Sequence, residues 1–574
     1  MSRIQGPLGA LAFAVTVAFA LVPGGEARGA SPREGTLSRA HTIRWTGSFD
    51  LGGANLLDEC DGDAALWGAP PTACDGFVLH VRPARVPPRT IPHLDLRLLA
   101  VEPSTADIDL ALYHRNADGS RGGFVDGSFQ NGNNENVSIP VTAGDYIVAA
   151  IAYTAQPETS YSASATLRFP AAPAAPKQLF GRPSAALRGC PYFGPTGLRS
   201  CFEPTVAVDP RGRIFVSSVA GADIARSTDG GRTFARIPVP PPPLPAAIVG
   251  DSLLQVDPRG RLFYSTLVAA VSSYGIQVAR SSDGGTTWES NTMVGLPAGN
   301  GIMSFGSDRQ WLAFGSGETV YMTYKQLPPV WLSTSVGLIP PEVVGGIMVV
   351  RSTDGGRTFS TPTFIHEVPR RVSIGGMPVV DRRGRLYIPY FSGESRASPD
   401  TLSVAVSSDG GATFISYPVY QPPGETPAGA YFPALAVGAD GVVAAAWWDL
   451  RGSILAARSR DGGRTWSRAV RWSGREEAIS SPWISIARNG MLDVVWHSRA
   501  PSGAVTINLA RGTPEGRSIV RGIAGTLRSF SESRPANTDF SHFTRLHDGR
   551  VITVWATGTT AADSVAYIAI EKRT

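Results

Sequence analysis

Residues 227–234 read Ser227-Thr-Asp-Gly-Gly-Arg-Thr-Phe234. This eight-residue motif decides the fold, because four similar copies of it follow in the sequence. The intervals between the motif aspartates, at positions 229, 283, 354, 409 and 461, are 54, 71, 55 and 52 residues. Repeats of about fifty residues with several short strands each are typical of the blades of a β-propeller. The further copies are Ser281–Trp288, Ser352–Phe359, Ser407–Phe414 and Ser459–Trp466.

The motif resembles the Asp-box, also called the BNR repeat, of sialidase-like propellers, and the resemblance covers roughly residues 202–574. Turn chemistry predicts what it does in the fold. The aspartate can accept backbone N–H bonds in a tight turn, and the glycines permit left-handed backbone angles. The final Phe or Trp can bury its ring between neighbouring sheets. We therefore expect the motif to stabilise turns and not to touch a ligand.

The number of blades follows from the apolar strands that open each repeat. Seven such openings predict seven blades, and six blades is the alternative if one opening is not a first strand. The last blade lacks an outer strand near the C-terminus, so we expect a strand near Lys177–Gly181 to complete it and close the ring. The openings are Pro204–Asp209, Leu253–Asp257, Trp311–Phe314, Met377–Asp381, Pro433–Val437, Pro482–Ile486 and His542–Leu546.

Residues 41–169 form a separate unit ahead of the propeller. Short apolar strands between turn signals predict an antiparallel β-sandwich. The stretches that begin at Asp107, Asn116 and Ala143 resemble the bacterial pre-peptidase C-terminal (PPC) domain, an accessory sandwich of secreted proteins. An Ala/Pro linker at 170–183 separates this unit from the propeller at 184–574. The predicted strands are Phe77–Val81, Leu94–Val101, Ile108–Tyr113, Asn136–Pro140 and Tyr146–Tyr153. The whole chain is therefore predicted to be all-β.

The N-terminus predicts export. Within residues 1–30, the apolar run Leu8–Val22 is followed by small residues, as in a signal peptide, and it is short for a membrane span. We expect a secreted or extracytoplasmic protein, exported in the bacterial manner, with no membrane span. The four cysteines fall into two local pairs, which predict the disulfides Cys60–Cys74 and Cys190–Cys201.

Composition excludes some partners. The net charge is +5, but the arginines are spread along the chain without interleaved aromatics, so we do not predict nucleic-acid binding. We expect a monomer without a cofactor. Calcium is a minor alternative, because Asp58, Asp61 and Asp63 could supply oxygen ligands from one loop.

Strand direction sorts the polar residues onto two ends of the propeller. Residues that precede a first strand or follow a second strand meet at one end of the channel, here called the top, and the eight-residue motifs lie at the other end, the bottom. Those before first strands are Glu203, Asp251, Asp308, Arg309, Tyr431 and His542. Those after second strands are Tyr324, Lys325, Tyr390, Glu394, Asp449, Arg451, His497 and Arg499.

Acids, arginines and aromatics around one mouth suit a polar ligand. We predict that the top of the propeller binds a glycan or a protein surface. The candidate ligand-binding residues are Arg309, Arg451, Arg499, His497, Asp449 and His542.

The resemblance implies an alternative, an exo-sialidase-like hydrolase. Sialidases hold a substrate carboxylate with three arginines and use a Tyr nucleophile assisted by Glu, with an Asp acid/base. Two departures weigh against this alternative. The family has six blades, and its Arg-Ile-Pro motif precedes the first Asp-box, whereas Arg236–Pro238 follows it here. The candidates are Arg309, Arg451 and Arg499 for the triad, Tyr390 with Glu394 for the nucleophile, and Asp251 or Asp308 for the acid/base.

Overall fold

A computed structural model of the chain has β-strands, and no helices, in the residues that it describes. These are residues 30–48, 74–88, 90, 92–102, 107–128, 134–154, 159–170, 178–190, 201, 203–218, 223–243, 247–270, 273–294, 307–326, 332–334, 337–339, 346–366, 371–372, 375–393, 401–423, 428–429, 432–449, 451–474, 477–499, 505–527, 542–557 and 564–573. Nothing within these ranges forms a helix that could span a membrane. The predicted signal peptide lies outside them, apart from residue 30.

The N-terminal unit is a sandwich of two sheets, as predicted. One core cluster takes side chains from both sheets, and the rings of Trp45 and Phe77 stack across them with centroids 3.9 Å apart. The first sheet has the order β1 (Glu34–Leu37), β3 (Cys74–Val81), β8 (Gly144–Thr154), β5 (Asp107–Arg115) and β6 (Arg121–Ser128). The second has the order β2 (Thr42–Ser48), β9 (Ser160–Arg168), β4 (His93–Glu102) and β7 (Asn134–Pro140).

The remaining described strands build the blades of a propeller. The first three sheets, from inner to outer strand, are β11 (Thr205–Val208), β12 (Ile214–Ser217), β13 (Ile224–Ser227) and β14 (Ala235–Ile237); β15 (Ala247–Val256), β16 (Leu262–Ala270), β17 (Ser273–Ser281) and β18 (Ser290–Val294); and β19 (Ser307–Phe314), β20 (Val320–Gln326), β23 (Ile347–Ser352) and β24 (Thr363–Phe364). A hairpin of β21 (Leu332–Thr334) and β22 (Gly337–Ile339) is inserted in the third.

In the fourth and sixth sheets, two short strands share the innermost position. The fourth has β25 (Arg371–Val372) and β26 (Val379–Val380), then β27 (Leu386–Gly393), β28 (Thr401–Ser407) and β29 (Ile415–Tyr420). The fifth has β30 (Ala434–Val437), β31 (Val443–Trp448), β32 (Ile454–Ser459) and β33 (Val470–Arg471). The sixth has β34 (Glu477–Ala478) and β35 (Trp483–Ile486), then β36 (Leu492–Arg499), β37 (Val505–Gly512) and β38 (Val520–Leu527).

The seventh sheet joins both ends of the propeller. Its inner strands β39 (His542–Arg545), β40 (Val551–Thr557) and β41 (Val565–Ile570) come from the C-terminus, and its outer strand β10 (Ser184–Arg188) comes from the beginning of the propeller. Inner strands of successive sheets contact one another from β11 through β15, β19, β26, β30 and β35 to β39, and β39 contacts β11. The described sheets therefore form a closed ring.

The closing strand lies a few residues after its predicted position at 177–181. Within that stretch, the described residues Gln178 and Phe180 instead form single bridges with Ile523 and Glu571. Phe180 is buried in the central core of the propeller, and the segment touches only the end of β41, where the N–H of Gly181 donates to the carbonyl of Ile570 at 2.9 Å. The strand was therefore predicted a few residues too early, but the part of the chain that supplies it was predicted correctly.

The disulfide Cys190–Cys201 is confirmed, and it links the end of β10 to the approach of β11. Cys74 is also disulfide-bonded. Its predicted partner Cys60 lies outside the described residues.

The eight-residue motif acts as a turn, as its chemistry predicts. Asp229 Oδ1 accepts hydrogen bonds from the backbone N–H groups of Arg232 and Thr233, each at 3.0 Å, and Oδ2 accepts one from Thr233 Oγ1 at 2.6 Å. The other four copies repeat these bonds. Arg213 of the first blade donates to the carbonyl of Asp283 in the second, at 2.7 Å. The bottom turns therefore also tie one blade to the next.

Candidate functional site

Three equivalent positions at the top of the first three blades have an unusual backbone. Glu203, Asp251 and Arg309 each precede the regular part of an inner strand, and their φ angles are +43°, +49° and +48°. These are three of the four non-glycine residues with positive φ in the described chain. Non-glycine residues adopt this region at a cost, which surrounding contacts must offset and which is often found at functional sites.

The side chains of these three residues meet. Arg309 Nη1 and Nη2 donate to the two carboxylate oxygens of Glu203, at 2.8 and 3.1 Å, and Arg309 Nε lies 3.3 Å from Asp251 Oδ2. The guanidinium carbon lies 5.1 Å from the ring centroid of Phe432, which comes from the fifth blade. Arg309 is therefore held on its edges by two carboxyl groups and on one face by an aromatic ring.

A second carboxyl group and an amine join this group. Asp251 and Asp308 share a side-chain hydrogen bond. Burial, with the nearby Asp308 and Glu203 carboxyls, raises the pKa of Asp251 well above its usual range, although Arg309 opposes the shift. Lys325 lies opposite Asp308 in the antiparallel register of β19 and β20. Burial lowers the pKa of Lys325 to about 8, and Asp308 opposes this shift.

We call Glu203, Asp251, Asp308, Arg309 and Lys325 the acid–arginine cluster. The raised pKa of Asp251 favours its protonated form, which can donate a hydrogen bond, and the carboxyl oxygens of Glu203 and Asp308 can accept hydrogen bonds. Such a combination of donors and acceptors in a partly buried position can bind a polar ligand or transfer a proton to one.

A small cavity adjoins the cluster. Its volume is about 10 Å³, which is about the room for one water molecule. Gln310 lines it and is 2% exposed. The Nε2 atom of Gln310 donates to the backbone carbonyl of Asp251, and its Oε1 atom has no hydrogen-bond partner among the described residues. A water molecule, or a ligand group of similar size, could supply the donor for this buried acceptor.

Aromatic rings fill the channel next to the cluster. Trp311 lies with its ring centroid 5.4 Å from that of Phe432 and 5.5 Å from that of Trp483, and Trp483 is 4.5 Å from His542. These rings belong to one buried core. Because these rings fill the channel, the cluster lies at its mouth and not along an open pore.

The predicted site residues fall into two groups. The structure brings Asp251, Asp308 and Arg309 together, and it adds Glu203 and Lys325, which the strand-direction rule had placed at the top without assigning them a role. Counting six residues back from the turns at Asp209 and Asp257 would have aligned Glu203 with Asp251. Gln310 and Phe432 had no signal in the sequence, because either residue type is common next to a buried strand.

The predicted histidines lie apart from this cluster. His542 is buried, and its Nδ1 atom accepts a hydrogen bond from the backbone N–H of Val206 at 3.1 Å. His497 is buried, and its Nδ1 atom lies 3.1 Å from Ser480 Oγ. Burial lowers the pKa of each histidine to about 3. Both histidines therefore have a structural role and are not exposed to a ligand at the mouth of the channel.

Asp449 and Arg451 belong to a turn of the fifth blade. Asp449 Oδ1 accepts the backbone N–H groups of Arg451 and Ser453, at 2.8 and 2.9 Å. Burial raises the pKa of Asp449, although these hydrogen bonds oppose the shift. Arg451 is exposed. Asp449 thus has a structural role in this turn.

Tyr390, the predicted nucleophile, is not open to a substrate, as a nucleophile would have to be. Tyr390 is buried in the core of the fourth blade, and its hydroxyl bonds to Ser416 Oγ on the outer strand β29 at 2.8 Å. Arg236, from the misplaced Arg-Ile-Pro, lies on the outer strand β14, where it pairs with Asp223 at 3.1 Å.

Several other predicted residues cannot be placed. Glu394, Tyr431 and the side chain of Arg499 lie outside the described residues, as do Asp58, Asp61 and Asp63. Within the described ranges, no three His, Cys, Asp or Glu side chains are grouped so that they could hold a metal ion.

The chain was compared with known proteins. No protein-family model matches it, and no curated protein does. Among solved structures, it is similar to the Hadza microbial sialidase Hz136 (14% identity, TM-score 0.42, covering 83% of this chain and 93% of that one). It is also similar to a protein of unknown function from Dyadobacter fermentans (15%, 0.41, 68% and 99%) and to an α-L-arabinanase from Penicillium chrysogenum (16%, 0.39, 58% and 99%). Similarity at this level carries no argument about activity.

Proposed function

We propose that this protein is a carbohydrate-binding propeller and that its ligand site is the acid–arginine cluster at the top of the first three blades. One observation carries the proposal: three equivalent positions adopt a left-handed backbone, and their side chains meet in a single polar network. The bottom turns account for the other repeated polar residues, whereas these three side chains bring charged groups of the first three blades together at the top.

A glycan suits this place better than a protein surface does. The cluster is recessed, since the side chains of Glu203, Asp251 and Arg309 are 11%, 16% and 13% exposed. A protein surface needs a broad contact area, whereas a sugar at the mouth of the channel could direct a single hydroxyl group into the small cavity beside the cluster. The cluster and Gln310 offer both donors and acceptors for such a hydroxyl group.

Binding to an immobilised glycan panel tests the proposal. We expect Asp251→Leu to weaken binding of any retained glycan about tenfold or more, because the change removes a hydrogen-bonding group from a partly buried site. Arg488→Ala, in an exposed turn at the bottom of the sixth blade, is the control and should bind as the wild type does. Equal binding by Asp251→Leu and the wild type would refute the site.

Hydrolysis is a second candidate, favoured by the contact between the carboxyl groups of Asp251 and Asp308, in which the raised pKa of Asp251 favours its protonated form. A protonated carboxyl group can act as the general acid towards a glycosidic oxygen, with a second carboxylate as its partner. The sialidase alternative with Tyr390 as nucleophile is less supported, since Arg309 is engaged by two carboxyl groups and Tyr390 bonds to Ser416.

Turnover separates the candidates. Fluorogenic glycosides, including a sialoside, would be offered to the wild type, Asp251→Asn and Tyr390→Phe. Turnover that is lost in Asp251→Asn while binding persists would support the acid role. Sialoside turnover that is lost in Tyr390→Phe would instead support the sialidase alternative. No turnover by the wild type leaves binding as the function.

A further inference from the structure

We infer that the acid–arginine cluster selects neutral sugars and rejects sugars that carry a carboxylate. The inference rests on the proposed function, because it names the class of glycan that the same site takes. It follows from the carboxyl groups that Arg309 and Lys325 already face within the cluster.

The first step concerns the guanidinium group. A carboxylate sugar is recognised best by an arginine with both N–H edges available for paired bonds. Arg309 gives Nη1 and Nη2 to Glu203 and directs Nε towards Asp251, and Phe432 covers one face. An incoming carboxylate would have to displace Glu203, which is itself largely buried and would lose its partner.

The second step concerns the amine. Lys325 lies opposite Asp308 across the β19–β20 pair, so its charge is balanced within the cluster. The cluster already holds three carboxyl groups, those of Glu203, Asp251 and Asp308, against the two cationic side chains of Arg309 and Lys325. A ligand carboxylate would add a negative charge that nothing in the cluster offsets, next to two like charges, and this raises its free energy of binding.

The third step concerns what the cluster can still bind. Gln310 Oε1 is buried and lacks a donor among the described residues, and it lines the cavity beside Asp251. A hydroxyl group can supply that donor, whereas a carboxylate cannot. The carboxylates of the cluster likewise accept hydroxyl donors. The unused hydrogen-bonding capacity therefore matches a neutral polyol.

The test compares ligands that differ only in charge. The full-length chain would be titrated with oligogalacturonides and with their methyl esters, and with sialyllactose and its methyl ester. We expect the neutral member of a bound pair to bind at least about tenfold more tightly. Tighter or equal binding of the acidic member would overturn the inference and leave the proposed glycan site standing. Binding of no glycan on a wider panel would overturn both.

A variant tests the stated cause. Glu203→Gln keeps the size of the side chain but frees the guanidinium from its main anionic partner, so the preference for the neutral member should fall by about tenfold. Asp440→Asn is the matched control, since this carboxylate lies in an exposed bottom turn of the fifth blade. An unchanged preference in a folded Glu203→Gln protein, judged by its melting temperature, would refute the role of Arg309.

Discussion

At the residue scale, Asp354 shows how one side chain determines a turn. Its Oδ1 atom accepts the backbone N–H groups of Arg357 and Thr358, both at 3.0 Å, and its Oδ2 atom accepts Thr358 Oγ1 at 2.6 Å. Burial alone would raise the pKa of Asp354, but these bonds hold it well below its usual range. The fold therefore favours the ionised form, which is why an aspartate, and not an asparagine, stands at this position in each copy.

We predict that Asp354→Ala lowers the free energy of unfolding by about 1–3 kcal/mol, because two backbone donors lose their acceptor. Glycan binding should not change, since the turn lies at the bottom of the third blade and the proposed site at the top. Chemical denaturation and glycan titration of the same preparation measure both quantities. Lost binding with an unchanged stability would contradict the assignment of the motif to folding.

At the element scale, most strands could be predicted from the sequence, but the strand that closes the ring of blades was predicted less accurately. Alternating apolar residues and turn signals located the sandwich strands and the blade openings, because each depends on nearby sequence. The outer strand β10 is five residues long, and only its pairing with β41 distinguishes it from the adjacent segment 178–181. A partner almost four hundred residues away leaves no local pattern, so the sequence placed this strand slightly too early.

The same limit applies to the site. Strand direction assigned Asp251, Arg309 and Tyr390 to blade tops, but it could not tell which side chains enter the channel. Arg309 itself has a positive φ, and its side chain enters the cluster, whereas Tyr390 lies within a fully buried strand and packs into its own blade. Neither orientation follows from residue type alone.

We predict that the replacement of Cys190 and Cys201 by serine lowers the free energy of unfolding by about 2–4 kcal/mol. The bond spans a separation of 11 residues and holds the end of β10 beside the first blade, where Cys201 N donates to Ser564 Oγ at 2.9 Å. Chemical denaturation of the wild type and the double variant, each without reductant, measures the loss. Equal unfolding midpoints with equal denaturant dependence would show that β10 does not need this bond.

At the scale of the whole molecule, the ring closes at a seam where β39 of the seventh blade packs against β11 of the first, and the chain passes between these two blades from the outer strand β10 to β11. The side chain of His542 bridges this seam by accepting the N–H of Val206. In the next blade interface, Thr205 Oγ1 accepts the N–H of Leu254 in the same way, at 3.1 Å. His542 thus accepts a backbone N–H at the seam as Thr205 does at the next blade interface, but the histidine can titrate.

The last prediction concerns this seam and pH. Burial lowers the pKa of His542 in the folded protein to about 3, against about 6.5 in an unfolded chain. Above pH 6.5 neither state binds the proton, so the contribution is constant. Between pH 6.5 and 3 only the unfolded state binds it, and stability falls as pH falls, by about 1.4 kcal/mol per pH unit for one histidine.

A variant isolates this effect from groups that act in the opposite direction, such as Asp251, whose raised pKa favours the folded state as pH falls. His542→Gln retains an acceptor for the N–H of Val206 and cannot titrate. We expect the melting temperature of the wild type, relative to that of His542→Gln, to stay level from pH 7.5 to about pH 6.5 and then to decrease towards pH 5. A difference that stays constant over this range would mean that water reaches His542 and that the seam is open, because only a dry, packed seam keeps the imidazole neutral.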